Sequence, residues 1–121
     1  MAIKKILIVD DSPTERFFLG GLLEKQGYQV IIAESGEEAI VKAKQEKPDL
    51  IVMDVVMPGL NGFQATRAIN KDEETKGIPV IMCTTKGQET DKVWGMRQGA
   101  RDYIVKPVNQ DELLKKIAAL G

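Results

Sequence analysis

The sequence contains no histidine and only one cysteine among its 121 residues. Without histidine there is no imidazole for general-base catalysis or for metal binding. A single cysteine also excludes an internal disulfide and a cysteine-ligated zinc site. This residue, Cys83, follows three apolar residues, which predicts a buried and unreactive thiol.

Net charge and long apolar runs are also lacking. Lysine and arginine number 17 and aspartate and glutamate 18, so the net charge is −1 and gives no general attraction to nucleic acid or to membranes. No apolar run approaches the ~20 residues that span a bilayer. The run that follows Met1–Lys5 is too short for a signal peptide. We therefore expect a cytoplasmic protein that neither binds nucleic acid nor inserts into a membrane.

The apolar residues that are present fall into five short runs. Such runs are typical of strands that are covered on both faces, and segments with helical spacing separate them. Five βα units in sequence predict an α/β fold, a doubly wound parallel sheet with helices on both faces, in one domain over residues 1–121. The runs are Ile6–Val9, Tyr28–Ala33, Leu50–Met53, Val80–Cys83 and Tyr103–Val105.

Local signals predict where the helices begin and which faces they bury. Ser12–Glu15 and Ser35–Glu38 have the spacing of a capping box, and Asn109 is placed to cap the last helix. The first helix is predicted to bury Phe18, Leu19, Leu22 and Leu23. A helix over 89–98 has few apolar positions beyond Val93, Trp94 and Met96 and contains Gly95, so we expect it to be loosely held.

Charged and polar residues follow four of the five predicted strands. Asp10 and Asp11 follow the first strand, Asp54 the third, Thr84 the fourth and Lys106 the fifth. Because the carboxyl ends of parallel strands meet at one edge of a sheet, we expect these side chains to lie together. Two carboxylates 4 Å apart repel by about 4 kcal/mol at an effective dielectric of 20, and a cation would relieve that repulsion. Oxygen ligands alone favour Mg²⁺ or Mn²⁺.

The alternative for each of these residues is a structural role. Asp10 and Asp11 could cap the first helix, although Ser12 already fills that position. Asp54 could end its strand and cap the following turn, and Lys106 could be a surface lysine.

Together these residues resemble the receiver domains of two-component response regulators, of the single-domain CheY-like type. The resemblance covers nearly the whole chain. It rests on Val9–Ser12, Met53–Gly62, Thr84 and the stretch from Gly99 to Pro107. More narrowly, Gly59–Thr66 and Gln88–Gly95 are similar to PilH-type regulators of type IV pilus chemosensory systems.

The resemblance implies a flavodoxin-like fold with strand order 2-1-3-4-5, and it implies a role for each site residue. Asp54 accepts a phosphoryl group, Lys106 contacts the phosphoryl oxygens, and Thr84 swings to hydrogen-bond them while Tyr103 rotates inward. The Lys106–Pro107 peptide bond is expected to be cis. Mg²⁺ is held by Asp11, by Asp54 and by the backbone carbonyl of Val56, with Asp10 acting through water.

The implied function is that of a stand-alone regulator in chemosensory control of twitching motility. A CheA-like histidine kinase supplies the phosphoryl group, and the protein promotes only its own phosphorylation and dephosphorylation. With no output domain, a monomer is expected to signal by binding a protein through a surface of Trp94 and Tyr103. A phosphate sink for a shared kinase is the alternative.

Two other classes of protein stay open at this point. An Mg²⁺-dependent phosphatase with an aspartyl nucleophile typically has a second acid two residues later, where this chain has Val56. A nucleotide- or flavin-binding module needs a Gly-rich or Ser/Thr-rich loop after the first strand, where this chain is acidic. Val56 and Lys86 also leave the lifetime of a phosphoaspartate open, because neither is an acid or amide that could orient water.

Overall fold

The computed structural model describes residues 2–120, in which five strands alternate with five helices. The elements are β1 Lys5–Val9, α1 Pro13–Lys25, β2 Gln29–Ala33, α2 Gly36–Glu46, β3 Leu50–Met53, α3 Gly62–Lys71, β4 Val80–Thr84, α4 Glu89–Arg97, β5 Asp102–Val105 and α5 Gln110–Leu120. Each predicted strand and helix is present, and the bounds of the five strands and of the helix predicted over 89–98 agree with the prediction to within one residue.

All five strands are parallel and lie in the order β2-β1-β3-β4-β5. This topology confirms the predicted doubly wound, flavodoxin-like sheet. Strand β2 is at an edge and β1 and β3 are central, which explains why β1 and β3 are continuous apolar runs whereas β2 contains an exposed Gln29.

Alternate residues of the central strands pack on opposite faces of the sheet. Leu7 and Ile51 belong to a core that includes residues of α2 and α3. Ile8 and Val52 belong to the second core, with residues of α1 and α5. The two apolar layers cover both faces of the sheet, and the carboxyl ends of the strands carry the polar residues of the site.

One predicted helix face is wrong in part. Phe18, predicted to lie in the core, is 41% exposed, since α1 packs through Leu19, Leu22 and Leu23. In α4 the three apolar side chains are all about half exposed, and the only buried residue of the helix is Gly95. The error at Phe18 arises because helical spacing alone does not say which of two neighbouring apolar residues faces the sheet.

The capping-box predictions are also corrected. Ser12 Oγ accepts from the backbone N–H of Glu15 at 3.3 Å, but the Ser12 N–H donates to Asp10 Oδ1 and not to the Glu15 carboxylate. In α2 the Glu38 carboxylate pairs with Lys42. The predicted Asn109 cap is confirmed, because its Oδ1 accepts from the Glu112 N–H at 2.9 Å. Within residues 2–120, no helix combines the length and the hydrophobicity required to cross a bilayer.

Candidate functional site

Three carboxylates meet at the carboxyl end of the sheet, as the sequence predicts. Backbone hydrogen bonds from Asp10 to Ala33 and from Asp54 to Val9 continue the strand pairing by one residue and so place the acids side by side. One oxygen of each of Asp10, Asp11 and Asp54 lies within 4.8 Å of the other two. The structure thus brings together the acids of two adjacent strands, β1 and β3.

The three acids differ in how much of their bonding capacity is used. Asp10 is buried; its Oδ1 accepts from the Ser12 N–H and its Oδ2 from Lys106 Nζ at 2.8 Å. Asp54 is also buried, and its Oδ1 accepts from the Val55 N–H. Asp11 is exposed, and within residues 2–120 its carboxylate has no hydrogen-bond or ion-pair partner. Asp11 is therefore the acid most available to a ligand.

Lys106 supplies the positive charge of the cluster. Its Nζ lies 2.8 Å from Asp10 and 3.8 Å from Asp54, and its side chain is only 11% exposed. Burial alone lowers the pKa of Lys106, but the hydrogen bond to Asp10 and the charges of Asp54 and Asp10 raise it overall. The ammonium group is thus held protonated beside Asp54. The Lys106–Pro107 peptide bond is cis, as the resemblance implies.

Asp54 has an unusually high affinity for a proton. Burial raises the pKa of its carboxyl from 3.8 to about 6, and the charge of Asp10 adds to this shift. The charge of Lys106 and the hydrogen bond from Val55 oppose the increase. Burial and the neighbouring acids destabilise the charged form of this carboxyl group. Its free energy therefore falls most when a cation binds to it or when it forms a covalent bond.

The loop after β4 connects the site to β5. Thr84 is fully buried, and its Oγ1 accepts from the Lys86 N–H at 3.3 Å. The Tyr103 ring lies inside the protein, and its hydroxyl donates to the Lys86 carbonyl at 2.6 Å. Both residues proposed to act in switching therefore contact the backbone of Lys86. A movement of this loop changes the surroundings of both.

Gly95 lets α4 approach that tyrosine closely. A Cβ at this position would lie 2.8 Å from Met82 Sδ and 3.1 Å from two atoms of the Tyr103 ring. Gly95, which lowers the helix propensity of α4, is thus the residue through which the helix packs against Met82 and Tyr103. Trp94 beside it is 48% exposed, whereas Tyr103 is 8% exposed, so only Trp94 of the predicted contact pair lies at the surface.

Val56 follows β3 and has an exposed side chain. Two further residues of the site make contacts that the sequence does not predict. Glu15, predicted to cap α1, reaches to within 3.9 Å of Lys106. Arg16 donates to the backbone carbonyl of Asp10 at 2.8 Å, and its regular helical spacing gives no signal of that contact.

Residues 6–118 match the family model of the response regulator receiver domain. The chain is 64% identical over 116 residues to the protein PilH of Pseudomonas aeruginosa, with 96% of each chain covered. It is 41% identical to the phosphate regulon transcriptional regulatory protein PhoB of the same species, where 99% of this chain aligns with 52% of the relative. The chain thus spans about half the length of that transcriptional regulator.

Solved structures give the same result. The chemotaxis protein CheY4 of Vibrio cholerae superposes with a TM-score of 0.91 at 36% identity, covering 99% of this chain and 100% of the other. The receiver domain of a sensor histidine kinase from Pseudomonas aeruginosa superposes with a TM-score of 0.89 at 30% identity and covers 98% of both chains. That structure holds a magnesium ion coordinated in its active site cleft.

Proposed function

The chain belongs to the response regulator receiver domain family, and from this premise we propose that it takes a phosphoryl group on Asp54 and thereby changes its binding to another protein. The observation that carries the proposal is the cluster of Asp10, Asp11 and Asp54 within 4.8 Å, with Lys106 against two of its members. A carboxylate nucleophile needs no histidine base, which fits a chain without histidine.

The transfer step uses Asp54 as the nucleophile. One of its carboxylate oxygens attacks the phosphorus of a phosphohistidine in a partner kinase, and a P–O bond forms as the P–N bond breaks. The bonding electron pair leaves with the imidazole nitrogen. Lys106 stabilises the charge on the phosphoryl oxygens from its position 3.8 Å from Asp54.

The donor set fits a hard divalent cation. It consists of oxygens alone, and one of its acids, Asp11, is exposed and free to bind. Mg²⁺ would be held by Asp11 and Asp54 and by the backbone carbonyl of Val56, with Asp10 acting through water. Bound there, the ion supplies positive charge that favours the approach of a phosphoryl group to an acidic site.

The direct test of the function is phosphoryl uptake by the wild-type protein. Incubation with acetyl phosphate and Mg²⁺ is expected to add one phosphoryl group by intact-mass spectrometry, and chelation of the metal is expected to stop the reaction. No added mass with any phosphodonor in the presence of Mg²⁺ contradicts the proposal. Turnover of a small phosphomonoester would instead support the phosphatase alternative.

Substitution of Asp11 by alanine is expected to weaken Mg²⁺ binding by tenfold or more, and the same change at Asp10 to weaken it less. The reason is that both oxygens of Asp10 already accept hydrogen bonds, whereas the Asp11 carboxylate is free. Titration calorimetry measures both affinities, and Asp111→Ala on the exposed start of α5 is the matched control. Equal losses for Asp10 and Asp11 would remove the direct-ligand role of Asp11.

For the output we propose a phosphorylation-dependent protein contact on α4, in the control of type IV pilus twitching motility. The identity to PilH over nearly the whole chain supports the pathway. Exposed Val93, Trp94 and Met96 support the surface, because aromatic and methionine side chains are enriched in interfaces. Tyr103 is buried and acts behind this surface, not in it.

Trp94→Ala is expected to keep phosphoryl uptake but to lose the partner that the beryllofluoride-activated protein recovers. The control is Val41→Ala, which removes an equally exposed apolar side chain from α2. If activation changes no binding, and deletion of the protein prolongs phosphorylation of a second regulator served by the same kinase, the phosphate-sink function replaces this one.

A further inference from the structure

The Glu15 carboxylate does not make the capping-box hydrogen bond that its position in α1 predicts. Its backbone N–H is capped by Ser12 Oγ, but the N–H that a capping box would offer to its side chain donates to Asp10 at 2.9 Å. The Glu15 carboxylate lies instead with Oε2 at 3.9 Å from Lys106 Nζ. The first turn of α1 therefore extends an additional negative charge towards the phosphoacceptor site.

Glu15 differs from the other acids around Lys106 in exposure. The side chains of Asp10 and Asp54 are 3% and 8% exposed, and that of Glu15 is 36% exposed. It is the most exposed of the three acids that lie near the ammonium group. Since Glu15 Oε2 and Asp54 Oδ1 both lie close to the same nitrogen, they are at most about 8 Å apart, a distance over which physiological salt screens a charge only in part.

We propose that Glu15 is a specificity-determining residue that disfavours small anionic phosphodonors at this site. The inference rests on the proposed function of Asp54. A small donor has only the contacts of its own phosphoryl group, so repulsion by a further carboxylate directly lowers its rate. A kinase has a protein surface whose contacts offset that repulsion. Glu15 thus favours the protein donor over free acyl phosphates.

The test compares two small donors of different charge on Glu15→Gln, which keeps the size of the side chain and removes its charge. At saturating Mg²⁺ and low salt, the rate constant for phosphorylation by acetyl phosphate, a dianion, is expected to rise about threefold to tenfold. The rate with phosphoramidate, a monoanion overall, is expected to rise less, and added salt is expected to reduce both gains. Saturation by Mg²⁺ is established by titration for each variant.

Two variants serve as controls. Glu24→Gln removes an exposed charge from the same helix at a distance from the site and is expected to leave both rates unchanged. Glu15→Asp keeps the charge and is expected to retain slow phosphorylation by acetyl phosphate. If Glu15 acts through its charge, Glu15→Gln changes the ratio of the rate with acetyl phosphate to the rate with phosphoramidate. A structural effect on α1 would change both rates by the same factor.

Several outcomes overturn the inference. The inference is contradicted if acetyl phosphate phosphorylates Glu15→Gln no faster than the wild type. It is also contradicted if the rates with both donors rise by the same factor and added salt does not change that factor. In either case, the proposed function of Asp54 still holds as long as the wild-type protein accepts a phosphoryl group. If neither the wild type nor Glu15→Gln accepts a phosphoryl group from any phosphodonor, a histidine kinase included, the proposed function fails, and the role of Glu15 fails with it.

Discussion

Replacement of Asp54 by asparagine is expected to abolish phosphoryl uptake and, at neutral pH, to make the protein more stable. The amide has the shape of the carboxyl but no anionic oxygen to attack phosphorus. Intact-mass spectrometry after incubation with acetyl phosphate and Mg²⁺ is expected to show no added mass. The control is Asp49→Asn, which lies just before β3 at the amino-terminal end of the strands and accepts hydrogen bonds from the Lys4 and Lys5 N–H groups. This variant is expected to accept a phosphoryl group at the wild-type rate.

The gain in stability follows from the pKa of Asp54, which burial raises from 3.8 to about 6. A raised pKa means that the folded state favours the protonated acid. The stabilising contribution of that proton is fully present below the unfolded pKa and is lost as pH rises through about 6. At neutral pH the wild type therefore keeps a destabilising carboxylate, which asparagine removes. Allowing for partial screening by solvent, we expect a gain of about 1–2 kcal/mol.

Urea unfolding in the presence of a chelator measures this difference. The advantage of Asp54→Asn over wild type is expected to be largest near pH 7.5 and to shrink as pH falls from about 6 to about 4. Asp49→Asn is expected to change stability in the opposite direction, because hydrogen bonds from the Lys5 and Lys4 N–H groups lower the pKa of Asp49. Labelling of Asp54→Asn at the wild-type rate would show that Asp54 is not the phosphoacceptor. Destabilisation of this variant at neutral pH would contradict only the raised pKa of Asp54.

The sequence predicts the sheet and the acid cluster well because both depend on where the apolar runs of the strands lie and where they end. A buried parallel strand has to be apolar over four or five residues, so a polar residue marks its end. The acids after β1 and β3 are then brought together by strand pairing alone, since Asp54 needs only the hydrogen bond to Val9 to lie beside Asp10. No side-chain detail is needed for that inference.

The packing of α1 and α4 depends on information that the local sequence does not contain. Phe18 is exposed because α1 already fills its contact with leucines, and α4 approaches the sheet through Gly95 because the Tyr103 ring occupies the space that a larger side chain would need. The capping position of Glu15 fails for a similar reason, since Asp10 competes for the same N–H. For Gly95 and Glu15, a residue that is distant in sequence or belongs to the site overrides the local preference.

The start of α3 is the clearest example. Residues 57–62 are rich in glycine, proline and asparagine, which are typical of turns, but Gly62 is the first residue of the helix and packs on the backbone that follows β3. A Cβ there would lie 2.1 Å from the Asp54 carbonyl oxygen and 2.7 Å from the Val55 Cα. These are backbone atoms, so no change of rotamer can relieve the overlap.

Gly62→Ala is therefore expected to destabilise the protein by about 3 kcal/mol or more, measured by urea unfolding. The sign is informative, because alanine is normally the better helix former by about 1 kcal/mol. The matched control is Gly21→Ala within α1, where nothing lies within 4 Å of the new methyl group, and this variant is expected to gain about 0.5–1 kcal/mol.

The same overlap links folding to function. The atoms that a methyl group at Gly62 would displace belong to Asp54 and Val55, so the folded fraction of Gly62→Ala is expected to accept phosphate more slowly than wild type. Correction of the rate for the fraction folded separates this effect from loss of stability. A variant as stable as Gly21→Ala would show that α3 can move away from the sheet, and one with a normal corrected rate would show that the position of Asp54 does not depend on this contact.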